Sequence, residues 1–201
     1  MAHNSRGIVG KEDALTVRLK VELTFYGLST GGENMRTDWV CHDKFALILA
    51  LLMPENALAV EMSARYGMRI GDVLKTKTSE VLKGDWTYTE EKTGKKRRVR
   101  CGGEFRKRLL ANAGDFYVFE HRYDCSKHRT RQAVYKDIKR ASKALRLDEN
   151  VGTHTARKVY AVDRFRVSGS LSQVQRLLNH ASEAVTMIYA LADKITSSKK
   201  P

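Results

Sequence analysis

Four apolar residues set the first limit on what this chain can become. Val134, Ile138, Ala141 and Leu145 recur at i, i+4, i+7 and i+11, which puts them on one face of a helix. Similar patterning predicts helices over 43–53, 55–66, 70–75, 104–113 and 155–167, with a further one over 11–26 ahead of the linker-like run Ser29-Thr30-Gly31-Gly32. Pro54 suits a helix start and Gly67 a helix stop. Ser170-Leu171-Ser172-Gln173 has the form of a capping box ahead of an apolar face built from Leu171, Val174, Leu177 and Leu178. Ser182 is placed to cap a last helix carrying Val185, Ile188 and Leu191. Strand patterning is confined to 80–82, 86–91 and 95–100, with a further extended stretch over 116–119. Thr93-Gly94 makes a hairpin of the 86–91 and 95–100 strands. The expected fold class is therefore α+β, mostly α-helical with a small antiparallel β-sheet or hairpin. A doubly wound sheet is excluded, because no β-α-β alternation runs along the chain.

Charge narrows the partner. Lys and Arg number 37 against 23 Asp and Glu, a net charge of +14, and an excess of that size points to a polyanion. The excess is concentrated. Residues 92–108 hold nine Lys/Arg against one Glu, around the hairpin tip; residues 127–146 hold eight against one Asp, on the polar face of a helix. Two dense blocks of this shape favour nucleic acid over an ordinary solvated face. Lys95, Lys96, Arg97, Arg98, Lys127, Arg129, Arg131 and Lys158 are the candidate DNA contacts. Such contacts carry affinity but no sequence information of their own.

Other classes fall away. Cys41, Cys101 and Cys125 are odd in number and lack a C-x-x-C, so neither a disulfide framework nor a zinc knuckle fits and a reducing compartment is expected. The longest apolar stretch, over 45–53, is far too short to span a bilayer. No apolar segment follows a basic start at the N-terminus, so no secretory signal is expected.

The chemistry lies in five short boxes. Gly67-Met68-Arg69-Ile70-Gly71-Asp72-Val73-Leu74 is followed, 23 residues after its arginine, by Lys92-Thr93-Gly94-Lys95. His154-Thr155-Ala156-Arg157 is followed, 23 residues after its arginine, by His180 in Leu177-Leu178-Asn179-His180, and Tyr189 comes nine residues later. Each box is weak alone. Together, in this order and spacing, they resemble the tyrosine recombinase (phage integrase) family over residues 38–196, its catalytic domain. The resemblance implies a tyrosine recombinase catalytic fold and names Arg69, Lys92, His154, Arg157, His180 and Tyr189 as catalytic. Lys95 and Lys96 share the hairpin with Lys92 and compete with it for the lysine role.

Those residue types suit phosphoryl transfer. Attack on a phosphodiester is in line and loads charge onto the equatorial oxygens. The planar forks of Arg69 and Arg157 can clamp those oxygens without a metal, helped by His154 and His180. His154 is also a candidate for taking the proton of the attacking phenol. A phenol attacks poorly at its free pKa near 10, so nearby cations must favour the phenolate of Tyr189. Lys92 is the natural proton donor to the leaving 5′-oxygen. Asp72, three residues after Arg69, falls on the same helix face and is expected to orient it. No carboxylate cluster lies inside the boxes, so no metal ligands and no cofactor are expected.

The implied activity is site-specific breaking and rejoining of DNA through a covalent 3′-phosphotyrosyl link, in integration or excision of a mobile or phage element. The implied partners are double-stranded DNA, further copies of the chain up to a tetramer on DNA, and accessory DNA-bending proteins; the implied location is cytoplasmic, with the nucleoid. Competing readings are a non-catalytic DNA-binding module of the same fold and a type IB topoisomerase or telomere resolvase; an RNA-binding protein is a distant third, since no RNP-type aromatic strand is evident. Two departures stand out. Asn179 occupies the place of the family's usual glycine, and it tolerates a left-handed backbone better than most residues. Residues 1–37 read as a helix and linker rather than a full core-binding domain, so the chain is expected to be a catalytic fragment or a minimal member, with 197–201 as a loose tail.

Overall fold

The computed structural model describes residues 37–178. The expected helix over 11–26, the linker at 29–32, the Ser182-capped helix and the tail lie outside the described residues. Helix α1 (His42–Leu51) stops where Leu52 and Met53 turn extended, and Pro54 opens α2 (Pro54–Tyr66) at the position where a missing N–H costs nothing. The N–H of Met53 donates to Asp137 Oδ2 at 2.8 Å, and Asn56 Nδ2 donates to the same oxygen at 2.7 Å. A carboxylate from a distant helix thus caps the start of α2.

Gly67 ends α2 in the left-handed region, at φ +64°. A Cβ there would stand 2.5 Å from two ring carbons of Tyr160. Both the turn and the close approach demand glycine. The chain re-enters helix at α3 (Ile70–Leu74) and again at α4 (Thr78–Lys83). The strand expected over 80–82 is therefore a helix. Glu80 reaches back to accept the N–H of Lys77 at 2.8 Å, and Gly84, at φ +77°, ends the turn. Three residues hold too little pattern to tell a strand from one helical turn.

The expected hairpin is present. Strands β1 (Asp85–Thr89) and β2 (Lys96–Arg100) pair antiparallel, Trp86 opposite Val99 on the buried face and Tyr88 opposite Arg97. Each strand is one residue shorter than expected, β1 starting one residue earlier and ending two sooner. The N–H of Glu90 donates to the Lys95 carbonyl, the N–H of Gly94 donates to the Glu90 carbonyl, both at 2.9 Å, and 90–95 become the turn.

Helix α5 (Gly103–Ala111) follows; of the stretch expected to be extended over 116–119, Tyr117 forms an isolated bridge to Lys77, while 118–119 are a turn whose Val118 and Phe119 are buried. Strands β3 (Glu120–His121) and β4 (Asp124–His128) form a second small hairpin that the sequence does not signal. Thr130 caps α6 (Arg131–Ala144), accepting the N–H of Ala133 at 3.1 Å. Its expected apolar face is buried at Val134, Ile138 and Ala141. Helix α7 (Thr155–Ser168) ends at Gly169 (φ +59°), and Ser170 Oγ accepts the N–H of Gln173 at the start of α8 (Leu171–Leu178).

The core lies where α2 packs on α7, with α1 against α2 and α6, and α4 against β1 of the hairpin. Ile48, Met62, Met68, Phe119, Ile138 and Phe165 are within it, almost wholly shielded from solvent. Among the described residues, no helix is long and apolar enough to cross a membrane.

Replacing Gly67 by alanine adds a left-handed strain of about 1–2 kcal/mol and a clash worth about 1–3 kcal/mol. Gly67→Ala should therefore lower the thermal midpoint by about 10 °C in calorimetry. An unchanged midpoint would mean that the Tyr160 ring gives way freely.

Candidate active site

The first box owes its shape to the Gly67 turn. Met68 is buried, and its carbonyl accepts the hydroxyl of Ser63 at 2.7 Å. Arg69 is the extended residue that caps α3, with a side chain only 10% exposed. Its Nη1 donates to Glu90 Oε2 at 3.0 Å. Three residues on, buried Asp72 accepts the N–H of Glu91 at 3.1 Å through Oδ1. Burial pushes the Asp72 carboxyl up, against the pull of that bond and of the nearby Arg69 charge. The carboxylate bonded to Arg69 here is Glu90, while Asp72 holds the hairpin backbone.

Arg157 is among the largest wholly buried side chains, 1% exposed. Its Nη1 donates to the Gly67 carbonyl at 2.7 Å and its Nη2 to the Leu178 carbonyl at 2.8 Å. One guanidinium thus ties the loop before Arg69 to the end of α8. His154 stands exposed at the start of α7, one turn before Arg157. Lys92 is exposed in the β1–β2 turn. The structure therefore gathers Arg69, Arg157 and the Lys92 hairpin around the Gly67 carbonyl. His180, Asn179 and Tyr189 lie outside the described residues.

Glu90 is the residue that sequence reading missed. Its side chain is wholly buried between two guanidiniums, Arg69 on Oε2 and Arg97 Nη1 on Oε1 at 3.2 Å. Thr93 Oγ1 donates to Oε2 at 2.6 Å. Burial pushes its carboxyl up, but the bonds from Thr93, Arg69 and Arg97 outweigh that and hold it below the usual carboxylate range. No local signal marks it: Glu90 stands beside a second acid, Glu91, just ahead of the basic run over 92–108, with no cation among the six residues before it.

The expected DNA contacts divide. Lys95, Lys96 and Arg131 are exposed, as are Arg98 and Lys127, which pair with Asp85 and Asp124. Arg129 is half-buried, its Nε on Asn56 Oδ1 at 2.6 Å. Arg97 and Lys158 turn inward and correct the expectation. Arg97 donates to the carbonyls of Tyr66 at 2.9 Å and Gly67 at 3.1 Å, and Lys158 is buried with its ammonium on the Thr37 carbonyl. Both satisfy backbone carbonyls that their neighbours leave open. Among the described residues, no group of three or more His, Cys, Asp or Glu is arranged to hold a metal ion.

Comparison with known proteins agrees with this architecture. The phage integrase family model matches residues 42–195. The probable integrase/recombinase YoeC of Bacillus subtilis (strain 168) is 30% identical over 136 residues, 65% of this chain and 74% of that protein. The integrase of Escherichia phage P2 is 26% identical over 160 residues, 79% of this chain but only 44% of that integrase. Among solved structures, XerA recombinase superposes with a TM-score of 0.61 at 20% identity, covering 91% of this chain and 74% of that one. A lambda integrase dimer bound to a COC′ core site gives 0.63 at 21% identity, over 82% of this chain and 51% of that one.

The lowered pKa of Glu90 has a definite sign. Its stabilising contribution is fully present above the unfolded value, near 4.3, and is lost as pH falls through the lower folded value. Glu90→Gln should cost roughly 2 kcal/mol near neutrality and flatten the acid limb of the stability curve. Urea midpoints measured from neutral pH down into the acid range check this; an acid slope equal to wild type would contradict it.

Proposed function

This chain belongs to the phage integrase family, the tyrosine-type site-specific recombinases, and we propose that it cuts and rejoins double-stranded DNA with Tyr189 as nucleophile. The observation that carries the reading is the bond from Arg157 to the Gly67 carbonyl, which unites the two arginine boxes beside the Lys92 hairpin. Leu178, two residues before His180, is held by the same arginine.

The reaction follows from the groups. The Tyr189 oxygen attacks the scissile phosphorus in line, and the bond from phosphorus to the 5′-oxygen breaks. Arg69 and Arg157, with His154 and His180, stabilise the charge on the non-bridging oxygens. His154 receives the phenol proton and Lys92 delivers one to the leaving 5′-oxygen. The product is a 3′-phosphotyrosyl bond and a free 5′-hydroxyl. Attack by a 5′-hydroxyl on that bond reverses the step with no nucleotide cofactor.

Residues 38–196 form the catalytic unit in this reading. The exposed cations on the β1–β2 hairpin and around α6 grip the phosphate backbone. Strand exchange needs more than one protomer. Solved structures of similar fold include a lambda integrase tetramer bound to a Holliday junction and XerH bound to difH substrate, which supports assembly of this chain on DNA up to a tetramer. Accessory DNA-bending proteins complete the proposed assembly, which places it with the DNA of the cell. Integration or excision of a mobile element is the proposed role.

Nicked suicide duplexes should trap a denaturant-resistant protein–DNA adduct with the wild type and none with Tyr189→Phe. No adduct on any duplex tested favours a non-catalytic module, and an adduct with Tyr189→Phe assigns the nucleophile elsewhere. In the same assay, excess EDTA should leave the wild-type yield unchanged; a strict need for magnesium contradicts the arginine clamp.

A further inference from the structure

We infer that Glu90 is a positioning residue for catalysis, one buried carboxylate that fixes Arg69 and, through Thr93, the turn carrying Lys92. The inference rests on the recombinase reading above and adds to it a residue outside the matched boxes.

The geometry is specific. A single oxygen, Glu90 Oε2, accepts both Arg69 Nη1 at 3.0 Å and Thr93 Oγ1 at 2.6 Å. Lys92 lies in the chain between Glu90 and Thr93. The Glu90 backbone closes the same turn, to Lys95 and Gly94, and Asp72 takes the N–H of Glu91 from the other side. An exposed lysine with four rotatable bonds gains aim only from a fixed backbone beneath it. The hairpin stem does not supply this, because β1 ends at Thr89 and β2 begins at Lys96.

Only a carboxylate suits the position. Both of its oxygens face donors: Arg69 and Thr93 on one, Arg97 on the other. A glutamine would set its NH2 against one of those donor groups in either orientation. The two guanidiniums would also lose the charge that separates them. Glu90 therefore sets the guanidinium that meets the phosphate and the ammonium that meets the leaving group in one fixed relation.

The test compares wild type, Thr93→Val, Thr93→Ser and Glu90→Gln on two suicide duplexes. One is ordinary DNA; in the other, sulfur replaces the bridging 5′-oxygen at the scissile phosphate. A thiolate leaves without a proton, so the sulfur duplex no longer needs an aimed Lys92. Thr93→Val should form adduct roughly 10-fold or more slowly on ordinary DNA and close to the wild-type rate on the sulfur duplex, with DNA affinity unchanged. Thr93→Ser keeps the hydroxyl and should restore the rate on ordinary DNA. Glu90→Gln should be slow on both duplexes, the sulfur recovering only part of the loss, because Arg69 is disturbed as well. If Glu90→Gln does not fold, the Thr93 pair decides alone. Thr93→Val matching wild type on ordinary DNA, or losing equally on both duplexes, overturns the inference while leaving the recombinase reading intact. A wild type that forms no adduct on either duplex overturns the recombinase reading, and this inference falls with it.

Discussion

A buried cation organises this molecule. The guanidinium of Arg157 has left water entirely, and a charge in that position costs several kcal/mol unless its hydrogens are met. Carbonyls from two distant segments accept from its two terminal nitrogens, one at Gly67 and one at Leu178. The Gly67 carbonyl is available because α2 ends there in a left-handed turn. The Gly67 turn, the packing of α2 on α7 and the seating of α8 thus depend on one side chain. Arg97 enters the same arrangement from the hairpin, sharing the Gly67 carbonyl and completing the charge pairing at Glu90. The site is held together by hydrogen bonds from arginine to backbone, over an apolar core that excludes the competing water.

The positive charge is accordingly of two kinds. Arg97, Arg157 and Lys158 are spent internally, on carbonyls and one carboxylate, and serve the fold. Lys92, Lys95, Lys96 and Arg131 are exposed on its surface. A net charge counts both alike. The surface available to a polyanion is therefore more sharply localised than the composition implies, at the hairpin tip and along α6.

How much of this was legible in the sequence depended on the range of the forces involved. Helix periodicity is local, and it located α1, α2, α6 and α7 to within a few residues. The hairpin turn was legible because Thr-Gly needs a positive φ, which Gly94 adopts. Residues 80–82 were misread because one helical turn and a short strand present the same apolar residue, Val81, to the core. The β3–β4 hairpin escaped because its residues, Asp-Cys-Ser-Lys-His, face largely outward and carry no alternation. In the site, the boxes named Arg69 and Arg157, but the carboxylate on Arg69 is set by tertiary contact. Asp72 has helical spacing in its favour; Glu90 arrives from a hairpin 21 residues on, and no periodic rule links it to Arg69.

The cap that Asp137 places on α2 has a mechanical side. Asp137 sits on the inner face of α6, and its two bonds to Met53 and Asn56 latch that helix to the first turn of α2. Arg140 adds a third fastener, from α6 to the Leu51 carbonyl. At its far end α2 delivers Gly67, the anchor point of both internal arginines. A load placed on the outer side of α6 is thereby passed along α2, as through a rigid strut, to the Gly67 turn that holds Arg97 and Arg157.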